Sequence, residues 1–119
     1  MRTILCVDDH RATLSTLALI LRNEGYCCLT AENREEADRR FIGNAVDLVI
    51  VDHGLPGITG DVLAAHLKKI RPVHVLMLSG PVDLHTLPKS VDMLLIKPQA
   101  PVDLFAAIRR LLDSGPPQA

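Results

Sequence analysis

No run of apolar residues in this 119-residue chain approaches the length of a membrane span. The opening stretch, MRTILCVDD, is no signal peptide either, since its apolar run is short and ends in acids. Both absences point to a cytoplasmic protein with no membrane partner. Charge of one sign is also lacking: 13 Lys+Arg stand against 14 Asp+Glu, a formal net charge of -1. That balance offers no attraction to nucleic acid as a direct partner. The three cysteines contain no CxxC pairing. Cys6 lies in an apolar run, and the adjacent Cys27 and Cys28 would point to opposite faces of a strand. They read as reduced, mostly buried thiols, with no metal or redox role. No internal repeat stands out, and the length leaves no room for a second domain.

What the chain does have is apolar material, 48% of its residues, enough for a sizeable core at this length. Short β-branched or apolar runs alternate with longer stretches of helical period. Thr3–Val7 reads as a strand, followed by a helix with Leu14, Leu17, Ala18 and Leu21 on one stripe and Gly25 at its end. Tyr26–Ala31 is a second strand, and Asn33 can cap a second helix with Glu35 and Glu36 in its first turn. Asp47–Val51 is apolar almost throughout, as suits a central parallel strand covered on both faces. Thr59 or Gly60 opens a third helix carrying Val62, Leu63, Leu67 and Ile70, closed by Pro72. Val73–Leu78 and Met93–Ile96 are further strands. The last helix, Val102–Leu112, turns Leu104, Ile108, Leu111 and Leu112 inward. This βα order predicts an α/β fold, a single doubly wound parallel sheet of five strands with helices on both faces. Residues 1–113 form the domain, and Ser114–Ala119 reads as a tail or linker stub.

In such a sheet the working crevice lies at the carboxyl ends of the strands. Strand one ends in Asp8-Asp9, strand three in Asp52, strand four in Ser79 and strand five in Lys97-Pro98. Any one of these alone reads as an ordinary polar residue at a strand–loop junction. Together they place three carboxylates, a hydroxyl and an ammonium on one rim. Carboxylates that close repel unless a divalent cation neutralises them, and Mg²⁺ is satisfied by one or two acids, a carbonyl and waters. The same set suits a phosphoryl group, which needs its equatorial charge neutralised and an in-line acceptor.

The motifs ILCVDDH, DLVIVDHGLPGITG, VLMLSG and LLIKP, in this order, resemble the receiver domain of two-component response regulators, from Thr3 to about Leu112. The resemblance implies a flavodoxin-like, CheY-like (βα)5 fold with strand order 2-1-3-4-5. It implies that Asp52 accepts a phosphoryl group from a sensor histidine kinase or phosphotransfer protein. Asp9 would then be a direct Mg²⁺ ligand, Asp8 would act through water, and Asp52 and the Gly54 backbone carbonyl would complete the protein's share. Ser79 takes the position whose hydroxyl turns to the phosphoryl group, Lys97 pairs with the acceptor, and the bond to Pro98 is typically cis in the family. The Leu55-Pro56-Gly57 turn with Gly60 looks like the loop closing over the site.

Two departures stand out. Leu94 occupies the place of the usual Tyr, Phe or His that moves with the hydroxyl residue, which puts conventional switching in doubt. Pro81 and Pro88 bracket a short connection, and an interior proline costs a helix about 3 kcal/mol, so the fourth helix is expected to be shortened. Gly54 and Pro81 offer no group to orient an attacking water, so slow to moderate loss of phosphate is expected. His10 and His53 fall near the rim, where acceptance of phosphate on histidine is a remote alternative; His66 and His85 read as solvated and His74 as a partly buried imidazole.

The leading expectation is a phosphorylation switch acting on a downstream protein or output domain, with a homodimer left open, and not an enzyme for an outside substrate. A small aspartyl-phosphate hydrolase would want an acid two residues past its nucleophile, where Gly54 stands. A degenerate receiver-like binding protein would have lost part of the five-residue set, which this chain keeps.

Overall fold

The computed structural model describes residues 1–80, 87–97, 99–115 and 117. Strand β1 (Thr3–Val7) leads to helix α1 (Arg11–Asn23), β2 (Cys27–Ala31), α2 (Arg34–Gly43) and β3 (Leu48–Asp52). Two-residue strands β4 (Gly54–Leu55) and β5 (Ile58–Thr59) precede α3 (Gly60–Ile70), β6 (His74–Ser79), β7 (Met93–Ile96) and α4 (Pro101–Asp113). The main sheet is parallel, in the order β2-β1-β3-β6-β7. Counting only its own strands, that is the expected 2-1-3-4-5.

Alternation along the strands divides the core in two. Ile4, Cys6, Leu48, Ile50, Leu76 and Leu78 face α1 and α4, meeting Leu14, Leu21, Leu104 and Ile108. Leu5, Val7, Val49, Val51, Val75 and Met77 face α2 and α3, meeting Phe41, Leu63 and Leu67. Strands β3 and β6 are buried at every position, because both of their faces are covered.

Local chemistry sets the helix ends. Gly25, at φ +95°, closes α1 in a Schellman motif, with its N–H on the Arg22 carbonyl and the Tyr26 N–H on that of Leu21. The Asn33 side chain caps α2 by accepting the Glu36 N–H at 2.9 Å, while Glu36 accepts the Glu32 N–H at 2.9 Å. In α3 the inward stripe is Leu63, Ala64 and Leu67, whereas Val62 (53% exposed) and Ile70 (39%) face outward.

Packing adds detail at three other places, and at one of them, His66, it departs from the expected solvated side chain. Cys6 and Cys28 bring their sulfurs to 3.6 Å on one face of the sheet, although neither is near the other in sequence. The hydrogen bond to Cys28, and then burial, push the Cys6 thiol well above the ordinary range, so it stays protonated. His66 is half-buried and pairs with Asp38 at 2.8 Å, bridging α3 to α2. His74 donates from Nε2 to the Gly115 carbonyl at 2.9 Å, holding the start of the tail against the sheet.

Residues 81–86, which carry most of the expected short helix, and Pro98, where a cis bond was expected, lie outside the described residues. The described part of that connection, residues 87–92, forms a turn. No helix among the described residues is long and apolar enough to cross a membrane.

Candidate functional site

Parallel register delivers the site residues to one edge. Asp8 directly follows β1, with its N–H on the Ala31 carbonyl at the end of β2. Asp52 closes β3 and pairs in register with Leu78; Ser79 closes β6 beside Ile96. The Lys97 N–H bonds to the Ser79 carbonyl at 2.8 Å, which places the lysine one step past β7. Four strands thus end at one level, and their terminal polar residues meet there.

The burial of this group is unusual. Asp8 (2% exposed), Asp52 (6%) and Ser79 (1%) are three of the four buried polar residues among those described, the fourth being His74. Buried polar groups are kept only with partners. The Lys97 ammonium contacts Asp52 Oδ1, and the Gly54 N–H donates to Asp52 Oδ2 at 3.2 Å. The His10 N–H donates to Asp8 Oδ1 at 2.9 Å. The Ser79 hydroxyl reaches the Gly80 carbonyl at 3.3 Å.

Those contacts do not neutralise the site. Burial raises the Asp8 carboxyl above the ordinary Asp range, and the charge of Asp52 raises it further, against the lowering effect of the His10 N–H. Asp9 Oδ1 is enclosed and accepts no hydrogen bond among the described residues. An orphaned carboxylate oxygen beside two more acids is a donor set that fits a hard divalent cation. Asp8, Asp9 and Asp52, with the Gly54 backbone beside Asp52, are the residues that would hold it.

The loop over the site is a tight hairpin. Gly57, at φ +74°, follows Pro56 in the turn between β4 and β5, where only a residue tolerant of that φ fits. The hairpin ends at Gly60, whose N–H bonds to the His53 carbonyl at 2.9 Å. Leu94 lies on β7 opposite Met77 and packs, half-buried, against the α2–α3 side of the core.

The model of the family described as response regulator receiver domain matches residues 4–109. The chain belongs to that family. Its fold agrees: a receiver domain protein from Clostridium thermocellum superposes with a TM-score of 0.89 at 30% identity, over 95% of each chain. The response regulator TrrA from Thermotoga maritima, solved in complex with Mg²⁺-BeF, gives a TM-score of 0.84 at 32% identity, over 93% of this chain and 99% of that one. Among sequences, the phosphate regulon transcriptional regulatory protein PhoB of Pseudomonas aeruginosa is 33% identical over 97% of this chain. The receiver domain spans 54% of the length of that relative.

Within the receiver domain, Lys97 and Gly54 contact Asp52, Asp8 is buried near enough for the charges of the two acids to interact, and Ser79 closes the adjacent strand. Two residues carry more than their sequence positions revealed. His10 places Nδ1 3.3 Å from Asp8 Oδ1 and 3.2 Å from Asp9 Oδ1. Gly60 lies against the backbone of Asp52, close enough that a Cβ would strike it. Adjacency to Asp8-Asp9 was the available signal for His10 and the Leu55-Pro56-Gly57 loop for Gly60; the close approach of Gly60 to Asp52 comes only from the fold.

Proposed function

We propose that this receiver domain is a phosphorylation switch in which Asp52 takes a phosphoryl group from a phosphohistidine donor. The observation that carries the reading is the Lys97 ammonium on the buried Asp52 carboxylate, with Asp8 and Ser79 enclosed beside it. Lys97 holds one carboxylate oxygen and the Gly54 N–H the other, which fixes the plane in which Asp52 presents itself.

An Asp52 oxygen attacks phosphorus, the P–N bond to the donor imidazole breaks, and the imidazole leaves with its electron pair and takes up a proton. The ammonium of Lys97 then pairs with the new phosphoryl oxygens, and the Ser79 hydroxyl exchanges its carbonyl partner for one of them. A bound Mg²⁺ would supply charge neutralisation for the incoming group; the Mg²⁺-BeF complex of TrrA supports that cofactor. The product is an acyl phosphate on the protein itself, so the chain acts on no outside substrate.

Partners of such a switch are a cytoplasmic sensor histidine kinase or phosphotransfer protein upstream, and an output domain or separate protein downstream. Leucine at position 94 makes the response differ from one built on a moving ring, because its half-buried side chain has less volume to transfer between inward and outward positions.

The test is intact mass after incubation with a small-molecule phosphodonor and Mg²⁺. A single phosphoryl adduct, labile to hydroxylamine and absent from Asp52→Asn, is the expected result. No adduct on a folded protein that binds Mg²⁺ would overturn phosphorylation from small donors and favour a partner-binding role.

A further inference from the structure

The imidazole of His10 faces the acidic pair from outside the set that the motifs define. One ligand atom from each of Asp8, Asp9 and His10 lies within 4.8 Å of the other two. The contact with Asp8 is a long hydrogen bond, and neither it nor a simple ion pair accounts well for the position of the ring between the two acids. Charge-assisted N–H···O bonds close to about 2.7–2.9 Å, whereas Nδ1 stands 3.3 Å from Asp8 Oδ1 and 3.2 Å from Asp9 Oδ1. It is nearly equidistant from both, and the enclosed Asp9 Oδ1 still accepts no hydrogen bond.

The spacing does suit a shared cation. Around an ion with ligands at about 2.1 Å, neighbouring octahedral donors are about 3.0 Å apart. Both carboxylate–imidazole separations fall close to that edge length. Mg²⁺ prefers oxygen donors and retains its waters, while first-row transition ions readily take an imidazole nitrogen among carboxylates.

We infer that His10 is a third side-chain ligand at the Asp8–Asp9 cation site, through Nδ1, and that it tilts the site from Mg²⁺ toward a divalent transition ion such as Mn²⁺. The inference rests on the cation-site reading given above for Asp8 and Asp9. It concerns which ion is held and by which atoms, independently of phosphorylation.

His10 is largely exposed and makes no side-chain cap on α1, so replacing it leaves the fold intact. Isothermal titration of the full chain with Mn²⁺ and with Mg²⁺, for wild type and His10→Ala, separates the alternatives. Ligation predicts about a tenfold loss of Mn²⁺ affinity in His10→Ala with Mg²⁺ affinity changed less than about twofold. It also predicts a ¹⁴N coupling in the pulsed EPR spectrum of bound Mn²⁺ that the variant lacks. If His10 is merely a positive partner of the acids, its removal tightens both ions alike and no ¹⁴N coupling appears, which overturns the inference and leaves the cation site standing. If wild type takes up neither ion and Asp9→Asn changes nothing, the cation-site reading fails and this inference falls with it.

Discussion

Gly60 sits so close beneath Asp52 that a Cβ on the glycine would come within 2.5 Å of the Asp52 carbonyl oxygen and 3.1 Å of its carbon. The obstruction is backbone, which cannot rotate aside as a side chain would. Gly60→Ala is therefore expected to push the strand end that carries the acceptor, at a cost of about 1–3 kcal/mol. Thermal unfolding should show the loss, and the rate of phosphoryl uptake should fall with it. Gly43→Ala, where nothing lies within 4 Å, is the control and should unfold at or slightly above the wild-type temperature. A Gly60→Ala protein as stable and as reactive as wild type would contradict the close approach.

Lys97 and Asp52 come from positions 45 residues apart and meet at the site. Breaking a fully buried ion pair costs about 3–5 kcal/mol, but the Lys97 side chain is 39% exposed and solvent screens it. Lys97→Met should thus cost about 1 kcal/mol, mostly through the charge left on Asp52. Adding Asp52→Asn should recover much of that loss, giving a coupling energy in a double-mutant cycle. Strict additivity of the two substitutions would show that the pair is not coupled.

Asp8 gives the metal-free protein a pH dependence of definite sign. Its folded-state pKa is raised, by burial first and by Asp52 second, so the folded chain binds that proton more tightly than the unfolded chain does. The stability that Asp8 contributes is present below the ordinary Asp range and is lost as pH rises through the raised value. Asp8→Asn lacks the titration. With chelator present, its stability advantage over wild type should therefore grow as pH rises across that window, as read by urea denaturation at a series of pH values. An advantage that is constant, or that shrinks, would show that Asp8 is not strained in the absence of a cation.

Far from the site, Asn33 caps α2 by accepting the Glu36 N–H at 2.9 Å. Asn33→Ala should cost about 1 kcal/mol in chemical denaturation while leaving phosphoryl uptake by Asp52 unchanged. A change in uptake would mean that α2 communicates with the site.

Much of this protein is legible in its sequence, and for a physical reason. Strands buried on both faces must be apolar throughout, so Asp47–Val51 and Val73–Leu78 announced themselves to within a residue of β3 and β6. Parallel strands also end at one edge, so polar residues that follow apolar runs, Asp8, Asp52, Ser79 and Lys97, had to converge there. Helix ends followed from single residues, Gly25 and Asn33, because capping is local.

Other features were settled only when the elements packed. Val62 and Ile70 are exposed while Leu63 and Leu67 of the same helix are buried, a division that only packing displays. The meeting of Cys6 with Cys28 depends on the register of β1 against β2, and that of Gly60 with Asp52 on the path of a loop back across β3. His10 was visible as a neighbour of Asp8 and Asp9, but the position of its ring between the two acids is seen only in the structure. Composition and spacing act along the chain and so determine the elements and the edge where their ends gather. Distances between side chains depend on how those elements close against one another, and these the tertiary structure alone decides.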